Sequence, residues 1–314
     1  MRKVFGVSET VYDIIFRNEQ PIAAVPGGSV FNGLISLGRL GVKGVLISEV
    51  GDDRVGETIE RFLVNNGVCT DYISKYKGTK TSISLAYLDE NNDACYSFYK
   101  DYDKVRLDFE MPTVKPNDVV MFGSYYALNP IQRSKVLEFL KYAKGCGAIL
   151  YYDLNFRDNH KNEIDKLIGI INENYELSDI VRGSKDDFRT LYGISDVDKI
   201  FQDRIAPYCQ CFICTGGASD IELRYNSLSK SYVVDSIENI SSTIGAGDNF
   251  NSGIVFGIIR GNITKDKIGE LKESDWDRLI KYGIDFGSEV CKSINNYISL
   301  EFAEKYALSS SKKI

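Results

Sequence analysis

Short apolar runs alternate with stretches of helical spacing along most of this 314-residue chain. Residues 44–50 form a continuous apolar run, which is typical of a strand covered on both faces, and a helical stretch follows over 54–66. Asp53 can cap this helix, and a last helix is predicted from about 275 to 291. Further strands are predicted at 3–7, 118–123, 148–153, 179–182 and 211–215. Strands and helices that alternate in this way predict a parallel α/β sheet. No repeat or linker interrupts the pattern, so we expect one domain over residues 1–314.

The pattern changes between residues 72 and 100. Positions 81–88 alternate in the manner of a half-buried strand, a polar turn follows, and an aromatic strand covers 95–99. This pattern predicts an antiparallel hairpin. Together with the extended residues 9–26, the segment 72–100 is expected to form a small β-sheet that acts as a lid or an interface.

A glycine-rich stretch, Gly245-Ala246-Gly247, precedes an apolar helical segment at 250–259. Small residues before a helix leave the first N–H groups open to an anion such as phosphate. Asp248 follows at once, and a carboxylate beside an anion site can accept a proton from an attacking hydroxyl. The structural alternative is a tight turn with an ordinary first-turn acid.

A second glycine pair, Gly27-Gly28, also precedes a predicted helix, which Ser29 would cap. Asp13 and Asn32 could then supply polar groups for substrate hydroxyls. The alternative interpretation is a turn, a surface acid and an ordinary helix-start asparagine.

Arg157 lies just past the end of the strand predicted at 148–153, where ligands bind in open parallel sheets. A guanidinium at that position can hold a carboxylate, a phosphate or hydroxyls. The alternative is a surface arginine paired with Asp158.

Composition narrows the class of protein. A net charge of −6 and a pI of about 5.1 argue against a nucleic-acid or anionic-membrane partner. No apolar run approaches the roughly 20 residues of a membrane span, and Glu9 and Asp13 interrupt any signal-peptide core. Seven irregularly spaced cysteines suit a reducing cytoplasm. Three of them lie close together and are interpreted as buried core residues rather than zinc ligands: Cys209, Cys211 and Cys214.

Several catalytic motifs are absent from the sequence. There is no Gly-x4-Gly-Lys-[Ser/Thr] loop and no Gly-x-Gly-x-x-Gly after the first strand, so P-loop and dinucleotide-binding classes have no support. His160 is the only histidine, which argues against a histidine-based triad.

Two blocks of the sequence resemble the signatures of the ribokinase (PfkB) family of carbohydrate kinases. The first runs from Pro26-Gly27-Gly28-Ser29 through Val50-Gly51-Asp52-Asp53, and the second is the stretch 243–250. The resemblance implies a doubly wound, mostly parallel sheet flanked by helices, a small β-sheet lid, and ATP-dependent phosphorylation of a sugar with Mg²⁺.

The resemblance also implies roles for single residues. Asp248 would be the general base, and the amides of Gly245, Ala246 and Gly247 would bind the γ-phosphate. The implied sugar-binding residues are Asp13, Gly27, Gly28, Asn32, Phe98 and Arg157. The implied nucleotide-binding residues are Ser184, Thr215, Gly217 and Thr243, with Asp187 near Mg²⁺, held through water.

Three departures from the family pattern stand out. Ser242 replaces the usual acid near a potassium site, which leaves monovalent-cation dependence open. Asp187 takes the place of a glutamate, and Asp220 that of a glycine. None removes the base or the anion site, so an active kinase is expected over a sugar-binding pseudokinase.

The segment 153–157 and the opening 9–13 are similar to fructokinases, which implies fructose as the substrate and fructose 6-phosphate as the product. 2-Keto-3-deoxygluconate is the next candidate, because Arg157 would suit a carboxylate, and ribose follows. Tyr87, Tyr96 and Tyr99 would give the lid an aromatic surface, so we expect a homodimer through the lids.

Overall fold

Two sheets and a set of surrounding helices form the structure, a computed structural model that describes residues 2–90, 94–101, 107–237 and 240–306. The strands are β1 (Lys3–Val7), β2 (Val11–Arg17), β3 (Gln20–Gly27), β4 (Lys43–Gly51), β5 (Val68–Tyr76), β6 (Ile83–Leu88), β7 (Ala94–Tyr99), β8 (Val119–Gly123), β9 (Ile149–Asp153), β10 (Ile180–Ser184), β11 (Cys211–Thr215), β12 (Asp220–Tyr225) and β13 (Leu228–Val233). The helices are α1 (Ser29–Arg39), α2 (Arg54–Asn65), α3 (Arg133–Gly145), α4 (Ile164–Leu177), α5 (Lys185–Tyr192), α6 (Val197–Ile200), α7 (Ala246–Arg260), α8 (Lys265–Ile268), α9 (Glu273–Val290) and α10 (Leu300–Tyr306). Short 3₁₀ or π segments cover Tyr125–Ala127, Asp158–Glu163 and Phe201–Ile205.

The large sheet has nine strands in the order β13-β12-β11-β10-β9-β8-β1-β4-β5. All neighbours from β11 to β5 are parallel, and β12 and β13 add an antiparallel edge. Apolar side chains fill the space between the sheet and its helices, as continuous apolar strands require. The predicted α/β sheet is therefore confirmed, and its carboxyl ends form one edge at which polar side chains can meet.

The small sheet, called the lid below, has the order β3-β2-β6-β7. β2–β3 and β6–β7 are antiparallel hairpins, and β2 and β6 pair in parallel. The sequence interpretation began the second lid segment at residue 72, but β5 continues to Tyr76 as the edge strand of the large sheet, paired with β4. A polar and aromatic composition hides this continuation, since β5 is only partly buried.

Two helix boundaries differ from the expectation. Gly28, not Ser29, is the N-cap of α1: its φ is 136°, and Ser29 is the first helical residue, with no side-chain cap. The expected last helix, 275–291, corresponds to α9, but α10 follows it. The predicted Asp53 cap is confirmed, because its carboxylate accepts a hydrogen bond from the Gly56 N–H at 2.9 Å.

Two further predictions concern the three neighbouring cysteines and the absence of a membrane-spanning segment. Cys209, Cys211 and Cys214 are buried free thiols, as expected for core residues. Within the described ranges, no helix is long and apolar enough to cross a bilayer.

Close packing of α1 against α7 brings two glycine-flanked helix starts together. A Cβ on Gly33 would lie 2.6 Å from the Ser252 Oγ, so the two helices approach at a distance that only glycine permits. Ser36 of α1 also donates a hydrogen bond to the Asn249 side chain of α7. Consequently the first turns of both helices lie side by side at the carboxyl edge of the large sheet.

Candidate active site

The N-terminus of α7 is shaped by its neighbours. Gly245, the N-cap, has φ 80°, and a Cβ there would lie 2.7 Å from the carbonyl oxygen of Asn296. Both observations require glycine at this position. The loop can therefore close against the segment that follows α9.

The first backbone bond of α7 runs from the Asn249 N–H to the Gly245 carbonyl, at 2.9 Å. The Gly247 and Asp248 N–H groups precede that bond and lack intrahelical partners, as at any helix start. The Ala246 N–H instead donates to the Thr243 carbonyl at 3.2 Å. The Ala246 amide, one of the three expected to bind phosphate, is therefore already hydrogen-bonded within the turn.

Asp248 lies beside Asn32 of α1. The Asn32 Nδ2 donates to the Asp248 Oδ2 at 2.8 Å. Burial raises the pKa of Asp248 to about 7, although the Asn32 hydrogen bond opposes the shift; the Asp153 charge raises this pKa further, and Arg157 and Arg182 lower it. A carboxylate with a pKa near neutrality is suited to accept a proton at physiological pH.

Arg182, in the middle of β10, is a cation that lies against this helix start. It is buried, and its guanidinium donates to the Asp153 Oδ1 at 2.9 Å and to the Thr215 Oγ1 at 2.6 Å. A Cβ on Gly247 would lie only 3.0 Å from the Arg182 Nη2. Sequence reasoning assigned Arg182 to a short strand and missed it as a site residue.

Burial alone would lower the pKa of Arg182, but the charges of Asp153 and Asp187 raise it overall. Asp153 is itself held by the Asn251 Nδ2 of α7 at 2.8 Å. The guanidinium is therefore a fixed, permanently charged group beneath the α7 N-terminus, where it adds to the helix dipole.

Asp13 lies on the inner face of the lid and is 4% exposed. Ser84 donates to its Oδ1, and the Asn296 Nδ2 donates to its Oδ2 at 3.1 Å. Burial is the main cause that raises the pKa of Asp13 to about 6, against both hydrogen bonds. This burial excludes the alternative interpretation of Asp13 as a surface acid.

Gly27 and Gly28 make room for groups of the chain itself. A Cβ on Gly27 would lie 2.1 Å from the Asp13 Oδ2, and one on Gly28 would lie 2.4 Å from the Glu9 carbonyl oxygen. The glycine pair thus lets the chain around Asp13 approach the start of α1.

Two aromatic residues of β7 cover the inner face of the lid. Phe98 lies opposite Ser84 and Tyr96 opposite Ala86, and their rings stack at 5.6 Å. Burial raises the pKa of Tyr96, and the charges of Asp13, Arg157 and Asp248 act on it too. Tyr96 therefore belongs to the inner wall, whereas the sequence interpretation counted it among the aromatic residues that a second lid would cover.

Arg157 is exposed and lies at the turn after β9. Its charge lowers the pKa of both Asp248 and Tyr96. Within the described residues it forms no ion pair, so the alternative pairing with Asp158 is not observed. Arg157 is thus a cation at the rim of the site.

Three of the four residues expected to bind nucleotide lie around β10 and β11, and the fourth, Thr243, precedes α7. Ser184 and Thr215 are register partners in these strands. Ser184 and Asp187 form a capping box: the Ser184 N–H donates to the Asp187 Oδ2 at 2.6 Å, and the Asp187 N–H to the Ser184 Oγ at 3.0 Å. The buried Asp187 carboxylate therefore stabilises the start of α5.

The loop from Thr215 to Asp220 follows β11. Gly217 has φ 67° and open space around its Cα. Asp220, which replaces a glycine of the family pattern, receives two hydrogen bonds from the Lys185 Nζ, at 2.8 and 2.6 Å. The additional negative charge at this loop is thus neutralised by α5.

Ser242 is also accommodated locally. It is buried, and its Oγ accepts a hydrogen bond from the Ile244 N–H at 3.1 Å. Thr243, the next residue, supplies the carbonyl that holds Ala246.

Solved structures with the same fold cover nearly the whole chain. A fructokinase from Vibrio cholerae, in a form with fructose, ADP and calcium bound, superposes with a TM-score of 0.84 at 19% identity over 98% of this chain and 99% of its own. An aminoimidazole riboside kinase from Salmonella enterica has a TM-score of 0.83 at 19% identity, over 98% and 100%. These similarities show the fold, a ribokinase-like sheet with a separate lid.

Relatives in sequence point to the same class of enzyme. A fructokinase from Vibrio alginolyticus is 25% identical over 257 residues, 81% of this chain and 83% of the relative. A 5-dehydro-2-deoxygluconokinase from Geobacillus thermodenitrificans is 26% identical over 252 residues, 75% and 72%. The model of the pfkB family carbohydrate kinases matches residues 1–302. With the parallel sheet, the lid and the carboxylate at the start of α7, this match shows that the chain belongs to the pfkB family of carbohydrate kinases.

Proposed function

We propose that this sugar kinase transfers the γ-phosphoryl group of ATP to fructose and forms fructose 6-phosphate. The observation that carries the reaction is the position of Asp248, which joins a helix N-terminus, a buried cation and an amide donor in one place. Fructose is favoured by the similarity to fructokinases over most of the chain. A neutral polyol also suits an inner wall of amides, carboxyls and aromatic rings.

In this proposal Asp248 is the general base. Asn32 occupies its Oδ2, which leaves the Oδ1 without a hydrogen-bond partner in the described part of the chain and able to take the proton of the sugar hydroxyl. The Gly245 and Gly247 amides, the α7 dipole and Arg182 would stabilise the charge on the transferred phosphoryl group. Little covalent chemistry by the protein is needed.

The remaining residues would position the two substrates. Asp13 and Asn32 would bind sugar hydroxyls beside Gly27 and Gly28, with Phe98 as a cover and Arg157 at the rim. Ser184, Thr215, Gly217 and Thr243 would hold the nucleotide. The Ala246 amide would support the loop and not contact the phosphate, since it is bonded to Thr243.

Mg²⁺ is expected to arrive with the nucleotide. Within the described ranges, no three acidic, histidine or cysteine side chains cluster as metal ligands, which fits a cation held mostly by phosphate and water. Asp187 would hold it through water, because its own carboxylate already accepts the Ser184 N–H. The cation would supply neutralisation of phosphate charge.

A sugar acid is the second candidate substrate. Arg157 carries a charge that reaches Asp248 and Tyr96 but forms no ion pair within the described residues. A guanidinium at the rim would pair with a substrate carboxylate. The 26% identity to 5-dehydro-2-deoxygluconokinase adds weight to this alternative, as it does to 2-keto-3-deoxygluconate.

We further propose a cytoplasmic homodimer formed through the lids. The lid face opposite Asp13 carries Tyr12, Ile14, Phe16, Ile83, Leu85, Tyr87 and Tyr99. Tyr87 and Tyr99 are 40% and 56% exposed, which is unusual for a continuous apolar face in a monomer. A second lid would cover this face and its edge strands. The seven free thiols fit a reducing compartment.

A coupled ADP-release assay with Mg·ATP tests the proposal. The sugar panel contains fructose, tagatose, ribose, adenosine, fructose 6-phosphate, 2-keto-3-deoxygluconate and 5-dehydro-2-deoxygluconate. A selective response to fructose supports the first proposal, and a response confined to the acids supports the second. Parallel reactions in sodium and potassium test whether Ser242 has removed cation dependence, in which case the two rates agree.

A further inference from the structure

Asn296, in the segment after α9, enters the sugar side of the site from a distant part of the chain. Its side chain is 1% exposed, and its Nδ2 lies 3.1 Å from the Asp13 Oδ2. A Cβ on Gly27 would be 3.3 Å from the same nitrogen. The asparagine therefore forms part of the floor on which Asp13 and the first glycine meet.

The amide oxygen of Asn296 has no partner. A carboxylate only accepts hydrogen bonds, so the nitrogen must face Asp13 and the oxygen must point elsewhere. Within the described residues, this buried Oδ1 accepts no hydrogen bond, and the same is true of the Oδ1 of Asn32. Each asparagine thus donates to a site carboxylate and keeps an oxygen that lacks a donor.

A buried acceptor without a donor is costly, because it has lost its hydrogen bond to water and gained none in the protein. Such a group is explained when a ligand supplies the missing hydrogen. The two carboxylates, Asp13 and Asp248, are the sites where a sugar and its reacting hydroxyl are proposed to bind. A polyol brings donors to both asparagines at once.

We propose that Asn296 is a specificity-determining residue that accepts a hydrogen bond from a sugar hydroxyl next to the one held by Asp13. Asp13 and Asn296 would each form a hydrogen bond with one of two adjacent sugar hydroxyls, and this requires a defined configuration of both. This inference rests on the proposed role of Asp13 in sugar binding, not on the identity of the sugar.

A structural role of Asn296 is carried by a different atom. Its backbone carbonyl accepts from the Asn249 Nδ2 at 2.8 Å and lies against Gly245. Substitution of the side chain leaves that carbonyl in place. The two roles can therefore be separated by mutation.

The test compares Asn296→Ala with Asn295→Ala, a neighbouring asparagine that is exposed. With fructose and Mg·ATP, Asn296→Ala is expected to raise the KM for the sugar about tenfold, the value of one lost hydrogen bond. The KM for ATP and sugar-independent ATP hydrolysis should stay within about twofold, because the anion site is retained. Asn295→Ala should match the wild type throughout.

Epimers give the readout that a merely structural role would not change. Tagatose and allulose differ from fructose in the configuration of one hydroxyl each. The wild type should discriminate against at least one of them, and Asn296→Ala should lose about tenfold of that discrimination. Isothermal titration of the sugars without nucleotide measures the same difference in binding.

The possible outcomes are distinguishable. A folded Asn296→Ala protein with unchanged sugar KM and unchanged epimer ratios would overturn the proposal, as would equal losses for sugar and ATP. If Asn296→Ala fails to fold, Asn296→Ser keeps a small donor for Asp13 and is expected to show the same loss of discrimination. If no ketohexose reacts, fructose is the wrong substrate, and 2-keto-3-deoxygluconate with its C4 epimer repeats the comparison.

Discussion

The carboxamide of Asn32 donates to the carboxylate of Asp248 at 2.8 Å, although the two residues are 216 positions apart in the sequence. The bond joins the first turn of α1 to the first turn of α7. It holds one carboxylate oxygen in place and stabilises the charged form, against the effect of burial. The orientation and the acidity of the proposed base are therefore set by one neighbour.

Asp248→Asn should remove most turnover. Asparagine keeps the shape of the side chain but cannot accept the proton of the sugar hydroxyl, so we expect kcat to fall by about 10²–10⁴-fold. The KM values for ATP and sugar should change little. Steady-state kinetics check this, with Asp52→Asn, an exposed acid, as the control. A variant with near-wild-type kcat would contradict the role of the base.

The pH dependence of catalysis should report the same carboxylate. Because the pKa of Asp248 is raised to about 7 and the base must be ionised, kcat/KM should fall as pH drops below about 7. Asn32→Ala removes a hydrogen bond that lowers this pKa, so its acid limb should move to higher pH. Rate profiles from about pH 5.5 to 9 measure the acid limb of the wild type and of Asn32→Ala. An unshifted limb in Asn32→Ala would exclude Asp248 as the titrating group.

Asp248→Asn should also stabilise the fold above neutral pH. The pKa of Asp248 in the folded state, about 7, is above its ordinary value of 3.8, so the carboxyl group lowers the stability of the native state as pH rises from 3.8 to about 7. Removal of the charge should raise the unfolding free energy by up to about 4 kcal/mol at pH 8, since one pKa unit corresponds to about 1.4 kcal/mol, and by nothing below about pH 3.8. Urea unfolding at several pH values is the measurement. A stability difference that does not grow with pH would contradict the burial of this charge.

Arg182→Met should impair both stability and phosphoryl transfer. It leaves Asp153 buried without its cation, which typically costs about 3–5 kcal/mol. It also removes a charge next to Gly247, so kcat/KM for ATP should fall about 100-fold.

The double variant Arg182→Met/Asp153→Asn separates these two effects. It should recover part of the stability, because Asp153 is no longer a buried charge without its cation, but not the activity. Urea unfolding and ATP kinetics on the two variants provide the comparison. Recovery of activity together with stability would show that Arg182 acts only on the fold.

Tyr87→Asp should dissociate the proposed dimer. It places a charge in the middle of the apolar outer face of the lid, which would be desolvated by a second copy. Tyr142→Asp is the matched control, since Tyr142 is 39% exposed and Tyr87 is 40% exposed, but Tyr142 lies on α3. Sedimentation analysis should show a dimer for the wild type and the control and a monomer for Tyr87→Asp. A wild-type monomer at assay concentration would refute the interface.

Residues next to a local signal could be predicted from the sequence. Asp248 follows a glycine motif at a helix start, Asn32 lies one turn after another, and Asp13 is an acid among apolar neighbours. The periodicity of the strands was also sufficient for the parallel sheet and for the lid hairpin. In each case the signal and the residue lie within a few positions of one another.

Residues that tertiary contacts bring to the site could not be found in this way. Asn296 lies in a Ser/Asn-rich segment without periodicity, and only the fold places it on Asp13. Arg182 lies within a short strand, and nothing local distinguishes it from a surface arginine. Tyr96 was counted with the covered aromatic surface, because alternation in the sequence shows that a strand has two faces but not which face packs against the large sheet and its helices.

Gly27 provides space for another side chain as well as freedom of the backbone. A methyl group there would occupy the position of the Asp13 Oδ2, so the absence of a side chain at residue 27 is what permits a carboxylate at residue 13. The side chains at positions 13 and 27 are therefore sterically coupled. A redesign of sugar preference that enlarges residue 27 would have to shorten or move the acid at residue 13. A redesign that lengthens this acid cannot gain room at residue 27, because glycine is already the smallest residue.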